Sequence, residues 1–124
     1  MLMQALHNQN NVLGAALGGL SKRIDVMTNN LANVDTPGFI ASTVYFEDQL
    51  SQAISNWRSG GGLDLTGVQP RRARANHGTF RLDGNNVDIE REMAKLYINT
   101  VKYDAIALSI QNNSRRLNLA ITGR

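Results

Sequence analysis

The chain has 124 residues with no cysteine, 42% hydrophobic and only 6% aromatic content, and a formal net charge of +3. This is enough for one domain with a thin, aliphatic core. Disulfides and thiolate metal sites are excluded, and so small a charge argues against a polyanion as main partner.

Met1-Leu2-Met3-Gln4-Ala5-Leu6-His7-Asn8 has no basic region followed by an unbroken apolar run, so no secretory signal peptide is expected. No apolar run is long enough to span a bilayer. Residues 3 to 34 carry a heptad. Leu6, Leu13, Leu20, Met27 and Val34 are seven apart, and Met3, Leu17, Ile24 and Leu31 make an offset row with Asn10 as its polar member. That spacing predicts a helix with a seam packed along a partner helix. Gly14, Gly18 and Gly19 each cost about 1 kcal/mol relative to Ala in a helix interior. Residues 19–33 are therefore expected to be helical in their own right, and residues 3–18 only if packing supplies what propensity lacks. The helix ends at Ala32-Asn33-Val34-Asp35-Thr36-Pro37-Gly38, with Asn near the C-cap. Pro37 pushes Thr36 out of the α region, and Pro-Gly predicts a type II turn with positive φ at Gly38.

Phe39 to Val44 is short and β-prone. Phe46, Leu50, Ile54 and Trp57 step by four, four and three, which predicts a short amphipathic helix capped by Thr43 or Ser42 and ending at Arg58-Ser59-Gly60-Gly61-Gly62. In residues 63–82, Leu63 and Leu65 alternate with polar residues, as does Thr79-Phe80-Arg81-Leu82, so a small hairpin is expected. Arg71, Arg72 and Arg74 lie between the two and read as exposed loop. Asp83-Gly84-Asn85-Asn86 is a turn signal, after which Asp88 can cap the next helix, with Glu90 and Glu92 near its positive end.

From Val87 to Ile121 the spacing is the most regular in the chain. Ile89, Leu96, Tyr103, Ile110 and Leu117 recur every seven residues, and Met93, Thr100, Ala107, Ser114 and Ile121 fill the offset positions. The expectation is a helix roughly 50 Å long with those two rows as its seam. Glu90, Arg91, Glu92, Lys95, Asn99, Lys102, Asp104 and Arg115 form a wetted face, on which Lys95 should tolerate even a carboxylate. The fold class is mainly α. Long terminal helices (residues 1–35 and 83–124) pair as an antiparallel coiled-coil-like hairpin, and residues 36–82 supply the turn, a short third helix and a small irregular or β-hairpin middle segment. Two helices cover only part of each other's stripes, so further copies or partners are expected to cover the rest.

No catalytic or cofactor constellation stands out. His7 and His77 lack partners at metal-ligand spacing, Gly60-Gly61-Gly62 has no following Gly-Lys-Ser/Thr, and no Ser sits in a Gly-x-Ser-x-Gly elbow. Neither enzyme, metal nor cofactor is expected. The Arg71/Arg72/Arg74 cluster has no interleaved aromatics, which favours a solvated loop or a salt-bridging protein contact over a nucleic-acid site. On physics alone, a small coiled-coil adaptor binding partner helices is the rival to a polymerising subunit.

Asn30-Leu31-Ala32-Asn33-Val34-Asp35-Thr36-Pro37-Gly38-Phe39 resembles the Ala-Asn-x-x-Thr-Pro-Gly-aromatic motif of bacterial flagellar rod and hook proteins. The stretch Asp83 to Leu96, followed by Asn99-Thr100 and Tyr103, is similar to the proximal rod branch of that family, and Phe46-Glu47-x-x-Leu50 fits as well. Sister branches follow the helical Tyr with x-Ala-Asn, whereas here Tyr103 is followed by Asp104-Ala105-Ile106. The resemblance covers residues 17–57 and 83–121. It implies a structural subunit of the basal-body rod, the drive shaft that crosses the periplasm and transmits motor torque. The implied partners are copies of itself, sister rod proteins, the junction protein FliE and the MS ring. Export would pass through the flagellar type III apparatus, without a cleaved signal peptide. The assembly turn would comprise Ala32, Asn33, Thr36, Pro37, Gly38 and Phe39. The assembly seam would comprise Leu20, Ile24, Met27 and Leu31 with Ile89, Met93, Leu96, Tyr103, Ile110 and Leu117.

Overall fold

A computed structural model describes residues 1–76 and 78–123. His77, read above as lacking ligand partners, lies outside the described residues. The elements are α1 (Leu2–Ala32), β1 (Ser42–Tyr45), α2 (Glu47–Arg58), β2 (Arg71–Arg74) and α3 (Ile89–Thr122). α3 has 34 residues, about 51 Å of helix. Asp88 caps it by accepting from the Arg91 N–H, and Gly123, at φ 71°, closes it in the left-handed conformation.

α1 and α3 run antiparallel along each other. Asn10 meets Asn113, Met27 meets Asn99, and Asn30 meets Glu92. α1 is continuous from Leu2, so residues 3–18 do obtain their support from packing: Leu6, Asn10, Leu13 and Leu17 are all half-buried. The core lies where β1 and Phe46 pack on α1. Leu20 and Val26 of α1 pack with Val44 and Phe46, and Leu50, Tyr103 and Ile106 close round them.

The glycines of α1 differ in what surrounds them. Gly14 and Gly18 face open space, whereas a Cβ on Gly19 would lie 2.6 Å from the Phe46 ring. Gly18→Ala should raise stability by about 1 kcal/mol. Gly19→Ala gains the same propensity but overpacks the core, for a net loss of about 1 kcal/mol. Urea midpoints of the two variants should move in opposite directions, and equal shifts would show that the close approach is unconstrained.

The middle segment departs from expectation. The hairpin of residues 63–66 with 79–82 does not form. Instead the arginine segment is strand β2, antiparallel to β1, with Ser42 opposite Arg74 and Tyr45 opposite Arg71. β1 is the most buried of the β-prone stretches, and the Arg segment is the one the chain can lay beside it after α2 and the Gly60–Gly62 break. Ser42 and Thr43 are strand residues and do not cap α2. Its N-cap is Phe46, without a side-chain cap bond, and Phe46 is buried in the core instead.

Candidate assembly site

The end of α1 and the start of α3 come together through four asparagines. Asn33 is the C-cap of α1. The Phe39 N–H donates to the Thr36 carbonyl at 3.2 Å, and Gly38 has φ 71°. That is the turn which the Pro37-Gly38 pair predicts. A helix ending this way leaves carbonyls without partners. Asn85, 0% exposed, supplies them. Its Nδ2 donates to the carbonyls of Asn33 and Val34 at 3.0 Å and of Thr36 at 2.9 Å. Its Oδ1 accepts from the Val87 N–H at 2.7 Å. The Gly38 N–H donates to the Asp83 carbonyl at 2.7 Å, and Arg81 donates to the Val34 carbonyl. Gly84, at φ 81°, approaches so closely that a Cβ there would be 3.4 Å from the Gly38 Cα. The turn signal at residues 83–86 is thus the receptor for the turn at residues 36–38.

Asn86 and Asn30 extend the network. Asn86 Oδ1 accepts from the Ala41 N–H at 2.7 Å, and its Nδ2 donates to the Ala75 carbonyl. Asn30, also 0% exposed, meets β1 as another strand would. It accepts from the Ser42 N–H at 2.9 Å and donates to the Ser42 carbonyl at 2.8 Å. The same Nδ2 donates to Glu92 Oε2 at 2.9 Å, which gives that buried carboxylate a partner. Lys95 Nζ lies 3.6 Å from Glu92 Oε1.

Arg23 binds the outer end of β1. Its guanidinium donates to the Val44 carbonyl and to Glu47 Oε2, both at 2.7 Å, and stands 4.9 Å over the Phe46 ring. Partial burial pushes the Glu47 carboxyl up. The Arg23 hydrogen bond, the Glu47 and Phe46 N–H groups and the Arg23 charge outweigh it, so the carboxyl sits below the usual 4.5. A carboxyl depressed in the folded state stabilises above its unfolded pKa, and that contribution is lost as pH falls through the folded value. Stability should therefore fall as pH drops below about 4.5, and Glu47→Gln should show a shallower fall in acid denaturation. An equally steep fall would remove Glu47 from the acid response.

The predicted site residues divide. Leu20 and Met27 are buried, and Ile24, Leu31, Leu96, Tyr103, Ile110 and Leu117 are half-buried along the α1–α3 contact. Phe39 is half-buried, while Ala32, Thr36, Pro37 and Gly38 are exposed. Ile89 and Met93 do not belong to this contact: they are 51% and 55% exposed. The second row of the inner seam is Glu92, Asn99, Ile106 and Asn113, so Glu92 and Asn99 are buried rather than wetted. Asn99 donates to the Lys95 carbonyl at 2.7 Å and toward Met27 Sδ, and Asn113 donates to Asn10 Oδ1 at 3.0 Å. The row Glu92, Asn99, Ile106, Asn113 keeps a seven-residue spacing, polar at all but Ile106. That spacing was the available signal, hidden by the habit of reading polar residues as solvent-facing. Such pairs fix helix register, because any slip leaves amides unpaired among apolar side chains.

The row Met93, Thr100, Ala107, Ser114, Ile121 is instead exposed, except for half-buried Ala107. With Ile89, Tyr97, Val101 and Leu108 it makes a second, largely exposed apolar face on α3. No cluster of His, Asp or Glu among the described residues could hold a metal, and no described helix is long and apolar enough to cross a membrane.

Residues 11–39 match the family model described as flagella basal body rod protein. The flagellar basal body rod protein FlgB of Borrelia hermsii is 35% identical, over 82% of this chain and 87% of the relative. That of Proteus mirabilis is 34% identical, over 82% and 85%. That of Bacillus subtilis is 30% identical, over 79% and 81%. These matches each cover most of the chain and most of the relative. They favour a rod subunit over a coiled-coil adaptor: the chain belongs to the FlgB family of flagellar basal body rod proteins.

Proposed function

We propose that the chain is a non-enzymatic structural subunit of the proximal rod, in which α1 and α3 form an inner tube and residues 36–82 lie outside it. The observation that carries this reading is the second apolar face of α3. A helix already paired with α1 still exposes Met93, Tyr97, Val101 and Leu108, and in a polymer neighbouring subunits cover such a face. Copies of the chain and sister rod proteins would pack there. FliE and the MS ring would meet the subunits at the base, and the flagellar type III apparatus would export the chain. The rigid α1–α3 register suits torque transmission, since slippage would break the buried asparagine pairs. The Thr36-Pro37-Gly38 turn would set the angle between the tube and the outer segment.

Electron microscopy of basal bodies from cells lacking this protein tests the reading. Rods should be absent and should return with the wild-type chain. Gly38→Val places a β-branched residue at positive φ, at a cost of order 1–2 kcal/mol, and should be exported without restoring rods. Normal rods in the deletion would overturn the assignment.

A further inference from the structure

The two strands of the small sheet are covered unequally. The outer edge of β1 is occupied by side chains: Asn30 takes both the N–H and the carbonyl of Ser42, and Arg23 takes the carbonyl of Val44. The Ala75 N–H donates to the Ala41 carbonyl at 2.8 Å. With the register Thr43–Ala73 and Tyr45–Arg71, the alternation of an antiparallel ladder turns the N–H and carbonyl groups of Arg72 and Arg74 to the opposite edge. Among the described residues nothing bonds to that edge. Both arginine side chains are exposed, and the ion pairs of the described residues, Arg23–Glu47, Arg81–Asp83 and Lys95–Glu92, leave them out. They flank a shallow groove of about 270 Å³ lined by Gly38, Phe39, Ile40 and Ser42.

We infer that the free edge of β2 is a docking site for an extended, acidic segment of another protein, added as a third strand with carboxylates two residues apart opposite Arg72 and Arg74. An open edge calls for main-chain hydrogen bonds, which a small anion cannot supply. Side chains two apart on a strand share a face, so an acid-x-acid segment meets both arginines while its backbone pairs with the edge. Cationic side chains on an edge also repel unwanted strands. Here the charge makes the edge selective, because it repels basic segments and attracts acidic ones over neutral ones. A second copy is not the occupant. The acid-x-acid spacings of this chain, Asp88/Glu90 and Glu90/Glu92, lie at the cap and first turn of α3. The inference does not depend on the rod reading.

The test uses the full-length, isotope-labelled chain and a capped peptide, Thr-Glu-Val-Glu-Thr. Amide shifts at residues 72–75 should saturate with a Kd of about 1 mM, and R72E/R74E should weaken binding about tenfold while R72K/R74K retains most of it. A peptide N-methylated at its second Glu should also lose about tenfold, because in an antiparallel ladder the residue opposite Arg72 or Arg74 is the one whose N–H faces the edge. This arm uses the wild-type chain and so holds even if the charge reversal disturbs the sheet. Equal binding of the N-methylated peptide would reduce the site to ion pairing and overturn the inference. Equal binding of Thr-Lys-Val-Lys-Thr, absence of any saturable shift, or displacement of the peptide by oligothymidylate at low concentration would overturn it as well.

Discussion

Asn30→Ala is expected to destabilise the chain by about 3–5 kcal/mol, a large part of the 5–15 kcal/mol that holds a typical domain together. Asn30 is wholly buried and serves three groups: the Ser42 N–H, the Ser42 carbonyl and the Glu92 carboxylate. Truncation removes all three bonds and leaves their partners without water. Each orphaned neutral group costs about 1–3 kcal/mol, and a charged one more. Relaxation of the cavity keeps the sum below the simple total. The exposed neighbour Asn29 supplies the comparison, since Asn29→Ala should stay within about 0.5 kcal/mol of wild type. The mechanism also predicts a coupling. Asn30→Ala combined with Glu92→Leu should recover part of the loss, because the stranded carboxylate is gone. Urea unfolding of the wild type, Asn29→Ala, Asn30→Ala, Glu92→Leu and the double variant measures both effects. A loss under about 1 kcal/mol for Asn30→Ala, or strict additivity in the double variant, would show that Asn30 does not hold β1 and α3 together.

The double variant Tyr97→Asp/Val101→Asp should do the reverse: fold normally and build no rod. Tyr97 is 72% exposed and Val101 50% exposed, so within the single chain two carboxylates there remain hydrated and stability should change by less than about 1 kcal/mol. In the proposed rod the same face is desolvated against a neighbour. There each unpaired carboxylate costs several kcal/mol, even with a raised pKa. Swimming in soft agar and rods in isolated basal bodies should both be lost, with the protein still exported. Leu96→Asp is the contrasting variant. Leu96 lies on the inner line, half-buried, so it should lower the urea midpoint as well as abolish assembly. Lys102→Asp, on an exposed position, should swim. Lys95→Asp, neutral on the sequence reading, is no longer expected to be so, because it would place a second carboxylate beside buried Glu92. Normal rods in Tyr97→Asp/Val101→Asp would mean that the second apolar face of α3 is not an assembly surface.

The sequence by itself determined the two long helices, their antiparallel pairing and the hard stop between them. Heptads at Leu6–Val34 and Leu96–Leu117 are long enough for period alone to identify helix and buried row, and Pro37-Gly38 permits little but the turn observed. The motif at residues 30–39 also sufficed to point to the family, since those residues carry local backbone requirements that few other sequences satisfy. Tertiary structure alone decided which side of Leu96–Leu117 completes the seam. Apolarity pointed to Met93 and Ile121; the structure buries Glu92, Asn99 and Asn113 instead, because each finds a hydrogen-bond partner there and an apolar row can wait for another subunit. It alone decided that Arg71–Arg74 is a strand, since a four-residue edge takes its conformation from the strand beside it and not from its own propensity. And it alone brought Asn85 to the turn at Thr36. A side chain that bonds carbonyls far back along the chain leaves no periodic trace, so its role becomes visible only when both helices are in place.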